Sequence, residues 1–316
     1  MDCSIALFGT TPVLFPNPAR NSVFVYDMAN VHHCGYCGGI AIKRRLFCEI
    51  SPLTYAISVM KCRLIRHLKN TFDRRRFAAR GDGLFPTVIY RHNSLIRRQL
   101  GDVDMELQEN KAVNLSIAAQ KMHNVLIKPG ETFSFWRFVG KCSKSRGYKE
   151  GLVLTKVGTS RGIGGGMCQF TNLIHWLVLH SPLDIVEHHH HDGSDLFPDY
   201  GRQVPFGCGT SILYNYLDYR VQNNTDYVFQ LIFRVTDTHL CGELRSDQPA
   251  PYTYHVVELD PHFVKVGDDY FRRNQIYRKV IDKKTGNTVS AQLIKESDAK
   301  VLYPPEYINE KLVRMI

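Results

Sequence analysis

The chain has 316 residues, of which 44% are hydrophobic and 22% charged, a composition typical of a folded globular protein. No apolar run approaches the ~20 residues that a membrane-spanning helix needs, so the sequence predicts no transmembrane segment. The nine cysteines are odd in number and irregularly spaced, which favours reduced thiols over a disulfide framework. Residues 4–16 are mildly apolar but lack a preceding basic segment, so we expect no signal peptide and a cytoplasmic location, with cell-envelope association left open.

The first third of the chain carries much of the excess positive charge. Lysine and arginine outnumber aspartate and glutamate by 40 to 30 overall, and residues 43–98 contain 14 basic residues against three acidic ones. Such a field fits nucleic acid, an anionic membrane surface or an acidic polymer, and equally a solvated basic face. No nucleic-acid-binding motif accompanies it, so we expect no nucleic-acid partner and keep contact with a membrane surface open.

A Cys-x-x-Cys motif lies in the first 45 residues, which otherwise lack periodicity. Cys34 and Cys37 follow two histidines, and Cys48 with Cys62 could complete a zinc site, although this second pair is 14 positions apart. Free surface thiols are the alternative interpretation of these residues.

Two helices are predicted before the strands begin. Ser51 and Pro52 are a typical N-cap and first-turn pair, and apolar residues recur at helical spacing over residues 53–68. Residues 72–84 contain arginines, glycines and few apolar side chains, which predicts a loop. A second helix is expected over about residues 108–122.

The pattern changes to strands after residue 124. Strands are predicted at 125–127, 132–136, 152–157, 185–189, 212–221, 227–235 and 252–259, with a hairpin near 283–287. A buried helix over 168–180 interrupts them. We therefore predict an α+β fold, with a helical N-terminal part followed by a sheet-rich domain whose site lies where a glycine loop enters a helix. The predicted divisions are an extension (1–45), a basic helical region (46–100), a core domain (101–245) and a β-rich C-terminal part (246–316).

Three glycines and a methionine precede Cys168 at the predicted helix start. Free N–H groups at a helix N-terminus stabilise a thiolate, so this position favours a reactive thiol. Glycines let the backbone approach a substrate closely, and we predict that N–H groups of Gly165, Gly166 and Gln169 form an oxyanion hole. The alternatives are a structural turn beside a buried cysteine and a phosphate-binding loop, although the Lys-Ser/Thr of a P-loop is missing.

Four consecutive histidines occupy positions 188–191. Side chains alternate along a strand, so His189 and His191 share a face, and we predict one of them, His191 first, as the base for Cys168. Asp218 is a candidate carboxylate to orient that base. The same histidines could hold zinc with Cys168, but the spacing is loose. We therefore predict no metal and no cofactor and keep a metal-binding protein as an alternative.

Several motifs follow one another in the order typical of the VanW family, and over about residues 46–245 the chain resembles that family. The motifs are Pro129-Gly130-Glu131-Thr132-Phe133-Ser134-Phe135-Trp136, Val139-Gly140, Gly147-Tyr148, Gly164-Gly165-Gly166-Met167-Cys168-Gln169, Val186-Glu187 with His189 and His191, Gly201-Arg202, Tyr214-Asn215-Tyr216-Leu217-Asp218 and Asn223-Asn224-Thr225. The family takes its name from glycopeptide (vancomycin) resistance clusters, and its domains occur in cell-envelope proteins.

Some VanW domains resemble catalytic domains of L,D-transpeptidases. The resemblance therefore implies a peptidoglycan-modifying acyl transferase in which Cys168 attacks a stem-peptide carbonyl. It also implies that Arg202 binds a donor carboxylate, with a structural ion pair as the alternative. A non-catalytic module that binds peptidoglycan precursors or a resistance enzyme is the competing interpretation, since membership of a family does not guarantee turnover.

Overall fold

The computed structural model describes residues 47–97, 104–155, 158–190, 193–199 and 201–315. The predicted base His191 and the predicted zinc ligands Cys34 and Cys37 lie outside these ranges. Residues 47–316 form one compact unit.

Four α-helices lie within the described residues, and the first two begin at side-chain caps. They are α1 (Pro52–Thr71), α2 (Met105–Met122), α3 (Phe135–Val139) and α4 (Met167–Leu179). Ser51 and Thr54 exchange side-chain-to-backbone hydrogen bonds at the start of α1, so the predicted cap is confirmed. The Asp104 carboxylate caps α2 through the Glu106 N–H, which places its start at Met105 rather than at residue 108. None of the described helices combines the length and apolar character needed to cross a membrane.

Sixteen strands form four sheets within the described residues. The strands are β1 (Arg76–Phe77), β2 (Ala79–Arg80), β3 (Thr87–Leu95), β4 (Val125–Ile127), β5 (Glu131–Ser134), β6 (Glu150–Thr155), β7 (Gly158–Ile163), β8 (Asp184–Glu187), β9 (Ser194–Asp195), β10 (Arg220–Gln222), β11 (Phe229–Val235), β12 (His239–Ser246), β13 (Tyr252–Val266), β14 (Asp269–Asp282), β15 (Thr288–Val301) and β16 (Val313–Met315). The sheet orders are β1-β5-β10-β8, β2-β4-β11-β12-β3, β16-β13-β14-β15-β9 and β6-β7.

The main core lies between the second of these sheets and the helices α2 and α4. Leu115 on α2, Phe170 and Leu173 on α4, and Leu231 and Leu244 on the sheet are all buried in one apolar cluster. Alternation along β11 and β12 directs one face of the sheet toward the helices. Both helices are therefore packed against the sheet, and the first turn of α4 is part of this core.

The C-terminal sheet packs against the outer side of α4. The long antiparallel strands β13, β14 and β15 form its centre, and Ile276 on β14 is fully buried. Ile276 belongs to an apolar cluster with Trp176, Leu179 and Cys208. The helix α4 thus lies between two sheets.

The α+β fold class is confirmed, whereas several element boundaries differ from prediction. Residues 72–84 contain β1 and β2, and the unpredicted β3 pairs along the whole of β12. The strand predicted over 132–136 ends at Ser134, where α3 begins. The strand predicted over 212–221 is reduced to β10, because residues 213–217 form a turn closed by a bridge between Leu213 and Leu217.

Candidate functional site

The glycine loop before α4 is packed too closely for any side chain. A Cβ atom built on Gly165 would lie 2.2 Å from the carbonyl carbon of Gly151 on β6, and one on Gly166 would lie 2.3 Å from Cγ of Lys111. Gly164 and Gly166 also adopt φ values of 77° and 94°, which favour glycine. The loop therefore requires these glycines for structural reasons, whatever else they do.

The backbone N–H groups predicted to form the oxyanion hole already donate to carbonyl groups. The Gly165 N–H donates to the Gly162 carbonyl (3.1 Å), the Gly166 N–H to the Leu152 carbonyl (3.1 Å) and the Gln169 N–H to the Gly166 carbonyl (3.0 Å). These three groups are not free to receive a substrate oxygen in this geometry. The oxyanion hole at Gly165, Gly166 and Gln169 stays a prediction, and in this structure loop and helix hydrogen bonds use those three donors.

Two other N–H groups at the same helix end lack a backbone acceptor among the described residues. Met167 and Cys168 are the first two residues of α4, where a helix has no internal acceptor for its N–H groups. Among the described residues, no backbone carbonyl accepts a hydrogen bond from either group. The predicted donors at Gly166 and Gln169 flank these two positions in the chain.

The Cys168 thiol lies at this helix start but is not activated by it. Burial raises the pKa of Cys168, and the N–H groups of Ile212 and of Cys168 itself only partly oppose that effect. A helix start alone would lower the pKa of Cys168. The pKa is raised instead, because desolvation of the thiolate outweighs its stabilisation by the two N–H groups. Ionisation of Cys168 therefore needs either a base or a local rearrangement.

A loop at residues 208–212 covers the first turns of α4. The Thr210 N–H and hydroxyl both donate to Oδ1 of Asn172 (2.7 and 2.8 Å), and the Thr210 and Thr171 hydroxyls share a short hydrogen bond. The next residue, Ser211, donates its N–H to the His189 carbonyl (2.6 Å). Since Ile212 approaches Cys168, this one loop contacts both the cysteine and the histidine segment.

The rings of His188 and His190 lie in series next to His175 on α4. The ring centroids of His175 and His188 are 4.2 Å apart, and those of His188 and His190 are 4.0 Å apart. Burial lowers the pKa of His175 well below its usual range and that of His188 to about 3, so both are neutral near pH 7. The His175 Nδ1 lies 3.1 Å from the hydroxyl of buried Tyr219. Sequence reasoning missed His175, although it lies seven residues after Cys168 and so shares its face of the helix.

His189 is oriented by Glu187 rather than by the predicted Asp218. Its Nε2 lies 3.2 Å from Oε1 of Glu187, the last residue of β8 and two residues earlier in the chain. Burial raises the pKa of Glu187, but hydrogen bonds from His189 and Arg66 bring that pKa down to about 2. The i, i+2 spacing of Glu187 and His189 is the sequence signal that could have identified this pair.

Asp218 has a different and structural set of partners. It is 3% exposed and accepts hydrogen bonds from the Ser134 hydroxyl (2.6 Å), the Trp136 N–H (3.1 Å) and the Arg220 Nε (2.8 Å). Among the described residues it accepts no hydrogen bond from a histidine. In this structure β5, α3 and β10 use the oxygens of Asp218, and Glu187 is the carboxylate next to His189. The predicted pairing of Asp218 with His191, which lies outside the described residues, stays a prediction.

Arg202 belongs to an ion-pair cluster that includes Arg272 on β14. Its Nε is 3.5 Å from Oδ1 of Asp199, which also pairs with Arg272 at 2.7 Å. The structural ion pair kept as the alternative is thus observed. The predicted contact between Arg202 and a donor carboxylate stays a prediction.

A cavity of about 200 Å³ opens between α1 and the core. Its walls include Arg66, Asn70, Trp136, Tyr214 and Asp218. Cys168 does not line this cavity. Metal ligands are also not assembled anywhere in the described ranges, where no three His, Cys, Asp or Glu side chains are arranged to hold an ion.

The order of motifs and the glycine loop at α4 define a VanW-type domain, and comparisons with known proteins agree. The profile of the VanW-like protein family matches residues 110–245, which include most of α2, the glycine loop and α4. The chain belongs to the VanW family: it is 30% identical, over 230 residues, to the vancomycin B-type resistance protein VanW of Enterococcus faecalis, covering 72% of this chain and 83% of that protein.

A second relative shares a shorter region. The uncharacterized protein YoaR of Bacillus subtilis is 31% identical over 115 residues, which amount to 36% of each chain. No solved structure matches the chain.

Proposed function

We propose that this protein acts on peptidoglycan stem peptides as a cysteine-dependent acyl transferase of the L,D-transpeptidase type, with Cys168 as nucleophile. The proposal includes a role in glycopeptide resistance, since its relative from Enterococcus faecalis is a vancomycin B-type resistance protein. The observation that carries it is the position of Cys168 at the start of α4. No described backbone carbonyl accepts a hydrogen bond from the N–H groups of Met167 and Cys168 there. Such donors stabilise the oxyanion of an acyl-transfer transition state.

The proposed reaction has two steps. Sγ of Cys168 attacks the carbonyl carbon of the donor stem peptide, the amide bond to the terminal D-residue breaks, and the thiol proton passes through a base to the leaving amine. An amine of an acceptor stem, or water, then attacks the thioester and releases the thiol. His189 is the candidate base within the described residues, because Glu187 orients it and Ser211 links its backbone to the loop over Cys168.

The raised pKa of Cys168 sets a condition on this mechanism. A thiol that burial keeps protonated attacks only when its proton is removed as the substrate arrives. We therefore expect the 208–212 loop to shift when a donor peptide binds, so that the thiol meets the base.

Intact-protein mass spectrometry tests the proposal directly. Incubation with a disaccharide tetrapeptide is expected to add an acyl group to Cys168 and to release the terminal D-residue. Cys168→Ala should abolish both events, whereas Cys62→Ala, a change on α1, should abolish neither. Product formation by Cys168→Ala at the native rate would contradict the proposal.

A second candidate is a non-catalytic module that binds stem peptides. The observation that favours it is the structural use of the glycine loop, in which Gly165, Gly166 and Gln169 already have backbone acceptors. Tight binding of stem peptides with neither adduct nor product, over several donor peptides under reducing conditions, would support this candidate instead.

A further inference from the structure

The helix α1 is amphipathic, but its polar side faces the protein. Half-buried residues recur every four positions along it, at Thr54, Ser58, Cys62, Arg66 and Asn70. This face is tied down by polar contacts rather than by apolar packing, and none of the residues of α1 is fully buried. The usual arrangement, with the apolar stripe toward the core, is therefore inverted.

Hydrogen bonds at Arg66 and Asn70 hold α1 in this orientation. The Arg66 guanidinium donates two hydrogen bonds of 2.8 Å to the Glu187 carboxylate, a bidentate pair that fixes the rotation of the helix. One turn later, Oδ1 of Asn70 accepts a hydrogen bond of 2.7 Å from the buried Arg220. These hydrogen bonds hold the polar face of α1 against the protein, so the opposite face of the helix points to solvent.

The opposite face is a continuous apolar stripe in solvent. Its members follow helical spacing, and each residue is between 45% and 78% exposed. They are Leu53, Ile57, Met60, Leu64, Leu68 and Phe72. This apolar stripe extends over the whole helix, a length of about 30 Å. Isolated exposed apolar residues are common, but an ordered row of six marks a surface that binds something.

The charges around the apolar stripe indicate the chemistry of that partner. Helical geometry places Lys61 and Arg63 on opposite sides of the stripe, and the exposed His67 and Lys69 lie nearby. The helix contains no aspartate or glutamate. A second copy of the chain would bring these cations against each other, which is unfavourable for helix pairing. An anionic layer with an apolar interior would bury the apolar stripe and also attract the cations around it.

We infer that α1 docks on an anionic membrane surface, lying in the plane of the interface with its apolar stripe in the acyl region. An apolar face flanked by Lys and Arg is the arrangement by which interfacial helices bind such surfaces. The Arg66 and Asn70 contacts then fix the orientation of the rest of the protein relative to the lipid. This inference does not depend on the proposed acyl transfer.

Co-sedimentation of the full-length chain with vesicles tests the inference. Binding is expected to vesicles of phosphatidylcholine with about one third phosphatidylglycerol, and to be weak with phosphatidylcholine alone. Met60→Glu and Leu64→Glu should each weaken binding roughly tenfold or more, because a buried leucine-sized side chain contributes that much. Val289→Glu, an equally drastic change at an exposed site on β15, should leave binding unchanged. Equal binding by all variants would overturn the inference.

The contribution of charge is tested separately. The double variant Lys61→Gln/Lys69→Gln should lose about fivefold in affinity per residue, and salt should weaken binding of the native chain. The matched control Lys283→Gln/Lys284→Gln carries the same charge change in the β14–β15 turn and should bind as the native chain does. Equal losses in both double variants would show general electrostatic attraction and would overturn docking through α1.

Thiol labelling distinguishes the membrane from a protein occupant. The Leu64→Cys variant is expected to react with a maleimide quickly in buffer and slowly with the anionic vesicles, whereas Val289→Cys should react quickly in both. Slow labelling of Leu64→Cys in buffer would mean that another segment of this chain or a second copy covers the apolar stripe. That result would overturn the inference, and the sedimentation coefficient would then separate these two occupants.

Discussion

At the residue scale, the molecule uses glycine and buried histidine for packing at the place where the sequence predicted chemistry. Gly165 and Gly151 bring two backbone segments together without any side chain between them. Asn114 on α2 stabilises this approach by donating to the Gly165 carbonyl (3.0 Å). The start of α4 is therefore fixed by backbone contacts, and changes in the loop should affect stability first.

Replacing Gly165 by alanine is expected to destabilise the protein by about 3 kcal/mol or more. The new Cβ would lie 2.2 Å from the Gly151 carbonyl carbon, and backbone atoms must move to accommodate it. Urea denaturation of the variant measures the loss. Gly209→Ala is the control, since no atom lies within 4 Å of the Cβ position at Gly209. Equal stabilities of the two variants would contradict this account of the loop.

The Cys168 thiol is expected to ionise at a higher pH than a free thiol. Burial raises its pKa, so its thiolate fraction near neutral pH is small. Iodoacetamide labelling over a range of pH, resolved by peptide, measures this against N-acetylcysteine in the same tube. Labelling of Cys168 at lower pH than the free thiol would show that the helix start outweighs burial.

The buried histidines should make the protein less stable in mild acid. The folded pKa of His188 is about 3 and that of His175 is also far below 6.5, so the unfolded chain binds more protons between those values. Stability is therefore retained above about pH 6.5 and lost as the pH falls toward 3. Urea unfolding at about pH 7 and pH 5 should show a smaller loss for His175→Gln than for the native chain. An unchanged loss would mean that His175 is charged in the folded state.

At the element scale, α1 is attached to the core through ion pairs rather than apolar contacts. Arg66 bonds Glu187 and also lies 3.4 Å from Asp218, and both carboxylates are largely buried. Removing one partner of such a pair leaves the other desolvated and unpaired, which costs more than an exposed pair contributes. Arg66 therefore contributes strongly to the position of α1, beside the hydrogen bond between Asn70 and Arg220.

Arg66→Met is expected to cost about 2–4 kcal/mol and to loosen α1. Urea denaturation gives the stability, and limited proteolysis within residues 61–71 shows whether the helix detaches. Arg63→Met is the matched control, because Arg63 is exposed and its loss should cost less than about 1 kcal/mol. Equal proteolysis of both variants would show that the ion pair does not hold the helix.

The elements differ in how far the sequence predicts them. The caps and apolar spacing of α1 and α4 are local signals, so both helices were predicted to within a few residues. β3 was missed because its burial alternates only once it pairs with β12, a partner more than a hundred residues away. The site shows the same division. The position of Cys168 at a helix start follows from local pattern, but its raised pKa comes from burial in the folded protein, and the role of Glu187 depends on the distant Arg66.

At the scale of the whole molecule, the C-terminal sheet and the VanW-type core share an apolar contact. Ile276 on β14 packs with Trp176 and Leu179 on α4, although the family profile ends at residue 245. The site helix is thus supported on one side by chain outside the matched region. This contact couples the two parts energetically.

Ile276→Ala is expected to cost about 2–4 kcal/mol, the usual loss for a cavity at a fully buried isoleucine. Because the contact joins both parts, unfolding followed by tryptophan fluorescence and by circular dichroism should give coincident transitions. Leu293→Ala on β15 is the control, since Leu293 is 44% exposed and should lose about 1 kcal/mol or less. Separate transitions would show that the C-terminal sheet unfolds independently.

The meander of β13, β14 and β15 has a consequence for the order of folding. Each strand pairs with its neighbour in sequence across a short turn, so closing these hairpins costs little chain entropy. The bonds that cover the start of α4 join residues about 40 positions apart, such as Asn172 and Thr210. Local contacts form faster than distant ones. Amide protons of the C-terminal sheet should therefore gain protection first during refolding, and the environment of Cys168 should be completed last.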